Sequence, residues 1–228
     1  MFTSEDALRT IAADGGTGHV NAPSTMAQPV LAGDWDRWFT AGSQPVVSQD
    51  EADCFSTVVG RTDGMRGADL ACGTGQWTRQ LAAWGIRVTG YDFSTEALRQ
   101  ARAAGTRGGL SYRRCDLVAD AIPYELAPHS LDIVTCRHAL AYLEPARLLT
   151  DVGRWLKPSG VFFAVLRVSE REERPDGFHR VLTERQFAGL GTGWQRCEVR
   201  QLDRERRAIA LSGYGQAATA RVAWPTAL

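Results

Sequence analysis

The 228-residue chain has no surplus of either charge: 26 lysines and arginines stand against 26 aspartates and glutamates. Without a basic excess there is no electrostatic footprint for a nucleic-acid backbone or an anionic membrane surface, so neither is expected as a partner. Long apolar runs are missing too. The longest, residues 161–166, falls far short of the roughly 20 apolar residues that a bilayer-crossing helix needs. The first residues carry Glu5 and Asp6 where a secretory leader would be basic and then apolar. No secretory signal is therefore expected, and the setting reads as cytoplasmic. The five cysteines (54, 72, 115, 136 and 197) are odd in number and show no C-x-x-C spacing. Reduced thiols fit that pattern better than a disulfide framework or a thiolate zinc site, and no metal is expected. Internal repeats are absent as well.

What is present is a chain with 44% hydrophobic residues, long enough to bury one sizeable core. Residues 4–12 read as a short helix, with Thr3 as cap. A glycine- and proline-rich stretch then runs to Gly33 and suits a mobile segment or a cover. Trp35, Trp38 and Phe39 cluster on a helical turn, either packing the extension on the core or walling a pocket, since aromatic faces attract ligand cations. Residues 50–59 form one more helix.

From Arg66 onward strand and helix alternate, the signature of a parallel sheet with right-handed crossovers. Residues 66–71 make the first strand. The helix after it sets Trp77, Leu81 and Trp84 on one face and stops at Gly85. Residues 86–91 form a strand ending at Asp92, and Ser94 caps a helix through 104. Strands follow at 110–115, ending at Asp116, and at 130–136. Pro145 opens a helix with an apolar stripe through Leu148, Leu149, Val152, Trp155 and Leu156. Lys157-Pro158-Ser159-Gly160 reads as a turn, and the apolar run at 161–168 as a strand buried on both faces. A charged loop occupies 169–179 and a short helix 183–190. Residues 194–202 and 206–211 pair as a closing hairpin, and a tail follows. The resulting division is a helical extension (1–60), a core (61–215) and a tail (216–228).

The chemistry centres on Ala68-Asp69-Leu70-Ala71-Cys72-Gly73-Thr74-Gly75, where an apolar strand meets two glycines and a helix begins at once. Glycine allows a sharp turn and a close approach of ligand to main chain, and the helix start adds unpaired N–H groups. Ligands of open parallel sheets bind at the carboxyl ends of the strands, where Asp92 and Asp116 also fall. A carboxylate about twenty residues past the glycines can accept both hydroxyls of a ribose. For a dinucleotide, however, a third glycine is needed where Thr78 stands. A nicotinamide-dependent oxidoreductase is thus the weaker alternative.

The string Asp69-Leu70-Ala71-Cys72-Gly73-Thr74-Gly75 resembles the first motif of class I S-adenosylmethionine-dependent methyltransferases. Gly90-Tyr91-Asp92-Phe93-Ser94, Cys115-Asp116-Leu117, residues 131–136 and Leu156 to Gly160 match that family's later motifs in order. The resemblance covers residues 66–168 strongly and the hairpin weakly. It implies a Rossmann-like three-layer α/β sandwich around a mostly parallel seven-stranded sheet, with S-adenosylmethionine as cofactor. By the same resemblance, Asp69 and the backbone of Ala71, Cys72, Gly73 and Gly75 hold the methionine portion. Asp92 binds the ribose and Phe93 packs on the adenine. Asp116 and Leu117 meet the adenine edge and ring, and the main chain at Cys136 and Arg137 meets the cofactor's amino group. Ala71 replaces the family's usual glycine, a change tolerable if the residue keeps strand-like angles.

A sulfonium methyl is already activated, so the protein's main task is alignment, with a general base only where the acceptor must lose a proton. His138, just past the fourth strand, and His179, by the charged loop, are the candidates, each weighed against a purely structural role. Trp35, Trp38 and Tyr142 are candidate acceptor contacts, and Arg137 could orient an acceptor. The Asn/Asp-Pro-Pro-aromatic motif of enzymes that methylate base or glutamine nitrogens is absent, with Cys136-Arg137-His138-Ala139 in its place. A small organic acceptor is thus expected, on O, N or C, with the protein a monomer or homodimer. A non-catalytic cofactor-binding module and a sulfonium-using enzyme that does not methylate stay open as alternatives.

Overall fold

The computed structural model describes residues 30–42, 46–106, 108–169, 180–216 and the backbone of 222–223. The helix expected at 4–12, most of the stretch up to Gly33, nearly all of the charged loop with His179, and most of the tail lie outside these residues.

Two helices precede the sheet: α1 (Ala32–Thr40) and α2 (Gln49–Val59). The alternating core then runs β1 (Arg66–Leu70), α3 (Gln76–Ala83), β2 (Arg87–Asp92), α4 (Thr95–Ala103), β3 (Leu110–Arg114) and β4 (Leu131–Arg137). A 3-10 turn (Leu140–Tyr142), α5 (Pro145–Trp155) and β5 (Leu156–Ser169) follow. Next come the short β6 (Leu182–Thr183), α6 (Glu184–Gly189), the hairpin β7 (Trp194–Gln201) and β8 (Arg206–Tyr214), and a terminal β9 (Val222–Ala223).

The sheet order is β3-β2-β1-β4-β5-β8-β7-β9, with β6 beside the end of β5. Strands β1 to β5 are parallel, and β8 inserts antiparallel between β5 and β7. This is the expected seven-stranded arrangement, with two-residue additions. Its order reverses between β1 and β4, and that switch point is where the carboxyl ends of strands splay apart to leave a crevice.

Alternation along each central strand feeds two cores, because successive side chains leave opposite faces. Ile133, Phe163 and Val165 meet Trp77 and Leu81 of α3 and Cys54 and Phe55 of α2 on one face. Val134, Phe162 and Ala164 meet Leu149, Val152 and Trp155 of α5 on the other. Helix α2 is locked by Phe55, whose ring stacks on Trp84 at 5.0 Å and meets Trp77 and Phe163 edge-on at 5.4 and 5.2 Å. Such pairs add about 0.5–1.5 kcal/mol each beyond area burial.

Lys157 to Gly160 bulge out of the ladder: Leu131 pairs with Leu156 and Ile133 with Val161, so these four residues stand opposite Asp132 alone, and Lys157 donates to Asp132 at 2.7 Å. One local expectation fails, at Ala71. It does not keep strand-like angles but stands at φ 51°, in the left-handed region that disfavours a Cβ.

Candidate active site

The turn after β1 makes the floor of the site. Ala71 at φ 51°, Gly73 at 54° and Gly75 at 72° coil the chain tightly enough for Gly75 N–H to reach the Cys72 carbonyl at 3.0 Å. Gly73 lies under the Phe39 ring, which a Cβ would approach to 3.2 Å. Gly75 serves as N-cap of α3, and a Cβ there would sit 2.4 Å from the Tyr112 hydroxyl oxygen. Each glycine is thus required by a close approach as well as by its angles.

Two carboxylates stand behind this floor. Asp69 at the end of β1 accepts from Thr78 Oγ1 of α3 at 2.6 Å and Thr135 Oγ1 of β4 at 2.8 Å, bracing three elements at the switch point. Asp92 at the end of β2 accepts from Gly73 N at 2.7 Å and Ser94 N at 2.9 Å. Burial pushes both carboxyls up to about 6, against the pull of these donors. Asp116 turns inward on its own loop, its Oδ1 accepting from Val118 N and Ala119 N at 2.9 and 3.2 Å.

One cavity of about 1170 Å³ joins this floor to a second region on the far side. There α1 supplies an aromatic wall: Trp35 packs on Trp38 at 5.5 Å and, across the cavity mouth, on Tyr142 at 5.2 Å. Arg180 lies over the Tyr142 ring, and its backbone N–H donates to the Tyr142 hydroxyl at 3.2 Å.

The end of β4 forms the remaining wall. His138 also takes a left-handed backbone, φ 56°, held by its N–H on the Val165 carbonyl at 2.7 Å. Behind it sits Glu51 of α2, with no solvent exposure. Its carboxylate meets Arg137 Nη2 at 2.9 Å, Arg206 Nη1 at 2.8 Å and His138 Nε2 at 3.5 Å. Burial opposes ionisation of Glu51, but the His138 bond and the Arg137 charge outweigh it and hold the carboxyl below its ordinary range. Arg137 lies over Trp77 as well, 5.6 Å from the ring centroid.

Of the residues expected from sequence, Asp69, Ala71, Cys72, Gly73, Asp92, Phe93, Asp116, Leu117 and Arg137 line the cavity, as do His138, Trp35, Trp38 and Tyr142. Gly75 and Cys136 do not. Gly75 is turned toward Tyr112, and Cys136 is fully buried in the sheet. His179 falls outside the described residues. Phe39, grouped with the two tryptophans in the sequence, lines the cavity beside them, whereas Glu51 and Arg206 were not expected and carried no signal of their own. No group of acids, histidines and cysteines suited to a metal ion occurs among the described residues.

A family model described as "Methyltransferase domain" matches residues 68–164. The chain is similar to the ubiquinone biosynthesis O-methyltransferase of Actinobacillus pleuropneumoniae, 33% identical over 105 residues that make up 44% of each chain. The match thus spans less than half the length of that curated relative. Among solved structures, an S-adenosylmethionine-dependent methyltransferase from Mesorhizobium loti aligns with a TM-score of 0.59 at 23% identity, over 72% of this chain and 98% of that one. Phosphoethanolamine N-methyltransferase 2 of Haemonchus contortus, bound to S-adenosyl-L-methionine, aligns with a TM-score of 0.63 at 16% identity, over 81% and 57%. At these identities the structural likeness concerns the fold.

Proposed function

We propose that the chain, whose residues 68–164 match a model described as a methyltransferase domain, is a class I S-adenosylmethionine-dependent methyltransferase that transfers the methyl group to a hydroxyl oxygen of a small organic acceptor. One observation carries this reading. The cavity is continuous from the glycine turn and Asp92 to the aromatic wall and His138. Its volume of about 1170 Å³ exceeds the roughly 300–1,000 Å³ typical of a single small-molecule site, leaving room for a second ligand. The name of the curated relative, an O-methyltransferase, supports oxygen as the acceptor atom.

The residues present fit the cofactor. Asp92 offers two oxygens to a pair of ribose hydroxyls, and Phe93 and Leu117 offer apolar flanks to the adenine, with Asp116 at its edge. Asp69 braces the turn, and the backbone of Ala71, Cys72 and Gly73, with Arg137 across from it, holds the methionine end. When bound, the cofactor supplies an electrophilic methyl on a sulfonium. Trp35, Trp38 and Tyr142 orient the acceptor and exclude water, and His138 receives the hydroxyl proton, with His179 the second candidate for that task. Alignment of this kind supplies several kcal/mol of the barrier, and the base roughly 10²–10⁴-fold in rate. All five cysteines are free, in keeping with a reducing cytoplasmic setting. A balanced charge supports a small molecule rather than nucleic acid as partner, with the protein a monomer or homodimer.

Calorimetry with S-adenosylmethionine and S-adenosylhomocysteine tests the cofactor site. Transfer of a labelled methyl group to a panel of phenols, catechols, amines and enols tests the acceptor atom. Folded protein that binds neither cofactor form overturns the reading, and transfer confined to amines or carbons overturns the choice of oxygen.

A further inference from the structure

The rim of the cavity is apolar where a protein surface is ordinarily polar. Five large hydrophobic residues are exposed among the described residues, and three of them, Leu31, Val46 and Val118, line this one cavity. A single exposed apolar side chain is commonplace, but several at one mouth mark a contact surface. Two of the three flank the acceptor wall. Leu31, 64% exposed, stands one turn before Trp35, whose N–H donates to the Leu31 carbonyl at 3.3 Å. Val46, 76% exposed, is held near His138, its carbonyl accepting from Arg137 Nη2 at 3.2 Å. Charge points the same way. Among the described residues, four arginines line the cavity against six acids. On the acceptor side Arg137 pairs with Glu51, Arg206 with Glu51 and Asp203, and Arg167 with Glu205. The cofactor would add one net positive charge, which still leaves the cavity without a positive excess to meet an anion.

We propose that the acceptor is an uncharged hydroxyl compound bearing an apolar substituent, which leaves the cavity past Leu31 and Val46. The proposal rests on the methyl-transfer reading given above and adds to it the charge and shape of the molecule methylated. Trp35, Trp38 and Tyr142 cover the head that carries the hydroxyl, and the substituent continues outward over the rim. The driving force is hydrophobic. Each methylene moved from water to full cover is worth roughly fourfold in affinity, and the substituent shields Leu31 and Val46 from water in turn. These two residues therefore determine which substituents are preferred without touching the reacting oxygen. An acceptor that ends in a carboxylate gains nothing at this rim and meets the excess of acids as well.

Binding is the first test, since it needs no turnover. The full chain, saturated with S-adenosylhomocysteine, is titrated by calorimetry with 4-methylcatechol, 4-butylcatechol and 4-hexylcatechol, and with 3,4-dihydroxybenzoate as the charged counterpart. Affinity is expected to rise about tenfold or more from methyl to hexyl, and the benzoate to bind about tenfold or more weakly than 4-methylcatechol. A hexyl compound within threefold of the methyl one overturns the proposal, as does a benzoate that binds as tightly as 4-methylcatechol. The double variant Leu31→Asp, Val46→Asp locates the substituent. Both side chains are exposed, so its melting temperature should match the parent's, while its hexyl-to-methyl ratio should fall to about threefold or less. A ratio equal to the parent's puts the substituent elsewhere and overturns the proposal. Transfer of a labelled methyl group to the same catechols separates this proposal from the reading beneath it. Length-dependent binding without transfer overturns methylation of a hydroxyl and leaves the apolar rim standing. Transfer that is indifferent to length does the reverse.

Discussion

Asp36 Oδ1 on α1 lies 2.5 Å from Ser94 Oγ, the residue that caps α4 through Ala97 N at 3.0 Å. The same carboxylate oxygen accepts from Glu96 N at 3.1 Å, so the first turn of α4 is capped partly from another helix. Phe39, three residues on, sits over Gly73. The aromatic wall is therefore tied to the cofactor side of the cavity by one acid. Asp36→Ala should cost about 1 kcal/mol of stability, the usual worth of a cap. It should also speed release of S-adenosylhomocysteine several-fold, read by stopped-flow fluorescence of Trp35 and Trp38. An unchanged off-rate would separate the cap from the wall.

Asp92 titrates in an accessible window. In the ribose-binding role proposed for it, its carboxyl, pushed up to about 6 by burial, must be ionised to accept two hydroxyls. As pH falls through 6 the group takes up a proton, and the dissociation constant should rise about tenfold per further unit. Above pH 7 it should level off. Asp92→Asn should bind tenfold or more weakly at pH 7.5 and lose much of this dependence. Asp69, raised to the same range, is shared by both proteins, so the difference between the two calorimetric profiles isolates Asp92.

Ala71 holds a left-handed backbone that costs a non-glycine residue about 1–2 kcal/mol. Glycine would relieve this, although its freer unfolded chain takes back about 0.4–1 kcal/mol. Ala71→Gly should therefore be neutral or stabilising by up to about 1 kcal/mol in urea denaturation. Ala71→Val, β-branched at the same angles, should lose more than about 2 kcal/mol.

Gly75 allows no such latitude. Its φ of 72° and the Tyr112 ring, with Cε1 2.6 Å and the hydroxyl 2.4 Å from an added Cβ, both forbid a side chain. Gly75→Ala should cost about 2 kcal/mol or more, and Tyr112→Leu in that background should return part of the loss. Measured as a double-mutant cycle, the coupling should be well above zero.

The parts of this molecule legible in sequence are those whose physics is local. Gly73, Asp92 and Ser94 each lie at a junction of strand and helix, within a few residues of the pattern that marks them. The run at 161–168 announces a central strand by composition alone. Glu51 shows the opposite case. It stands three residues after Ser48 and completes a capping box, accepting from Ser48 N at 3.4 Å, so a local reading accounts for it as a helix cap. Its bond to Arg206 spans 155 residues, and nothing near either residue signals it. Lys157 to Gly160 is legible for the opposite reason: its turn-forming residues mark the place where β5 bulges out between its pairs with Leu131 and Ile133. For Ala71 the missing glycine is visible, but the handedness of the turn is a property of the fold.

The matched segment, residues 68–164, contains the glycine turn, Asp69, Asp92 and Asp116, whereas Trp35, Trp38, Phe39, Glu51 and Arg206 lie beyond its ends. The cavity thus takes its floor from the matched segment and much of its far wall from flanking chain, and Phe39 over Gly73 with Asp36 on Ser94 joins the two, so a substitution in the flanking α1 reaches the floor as well.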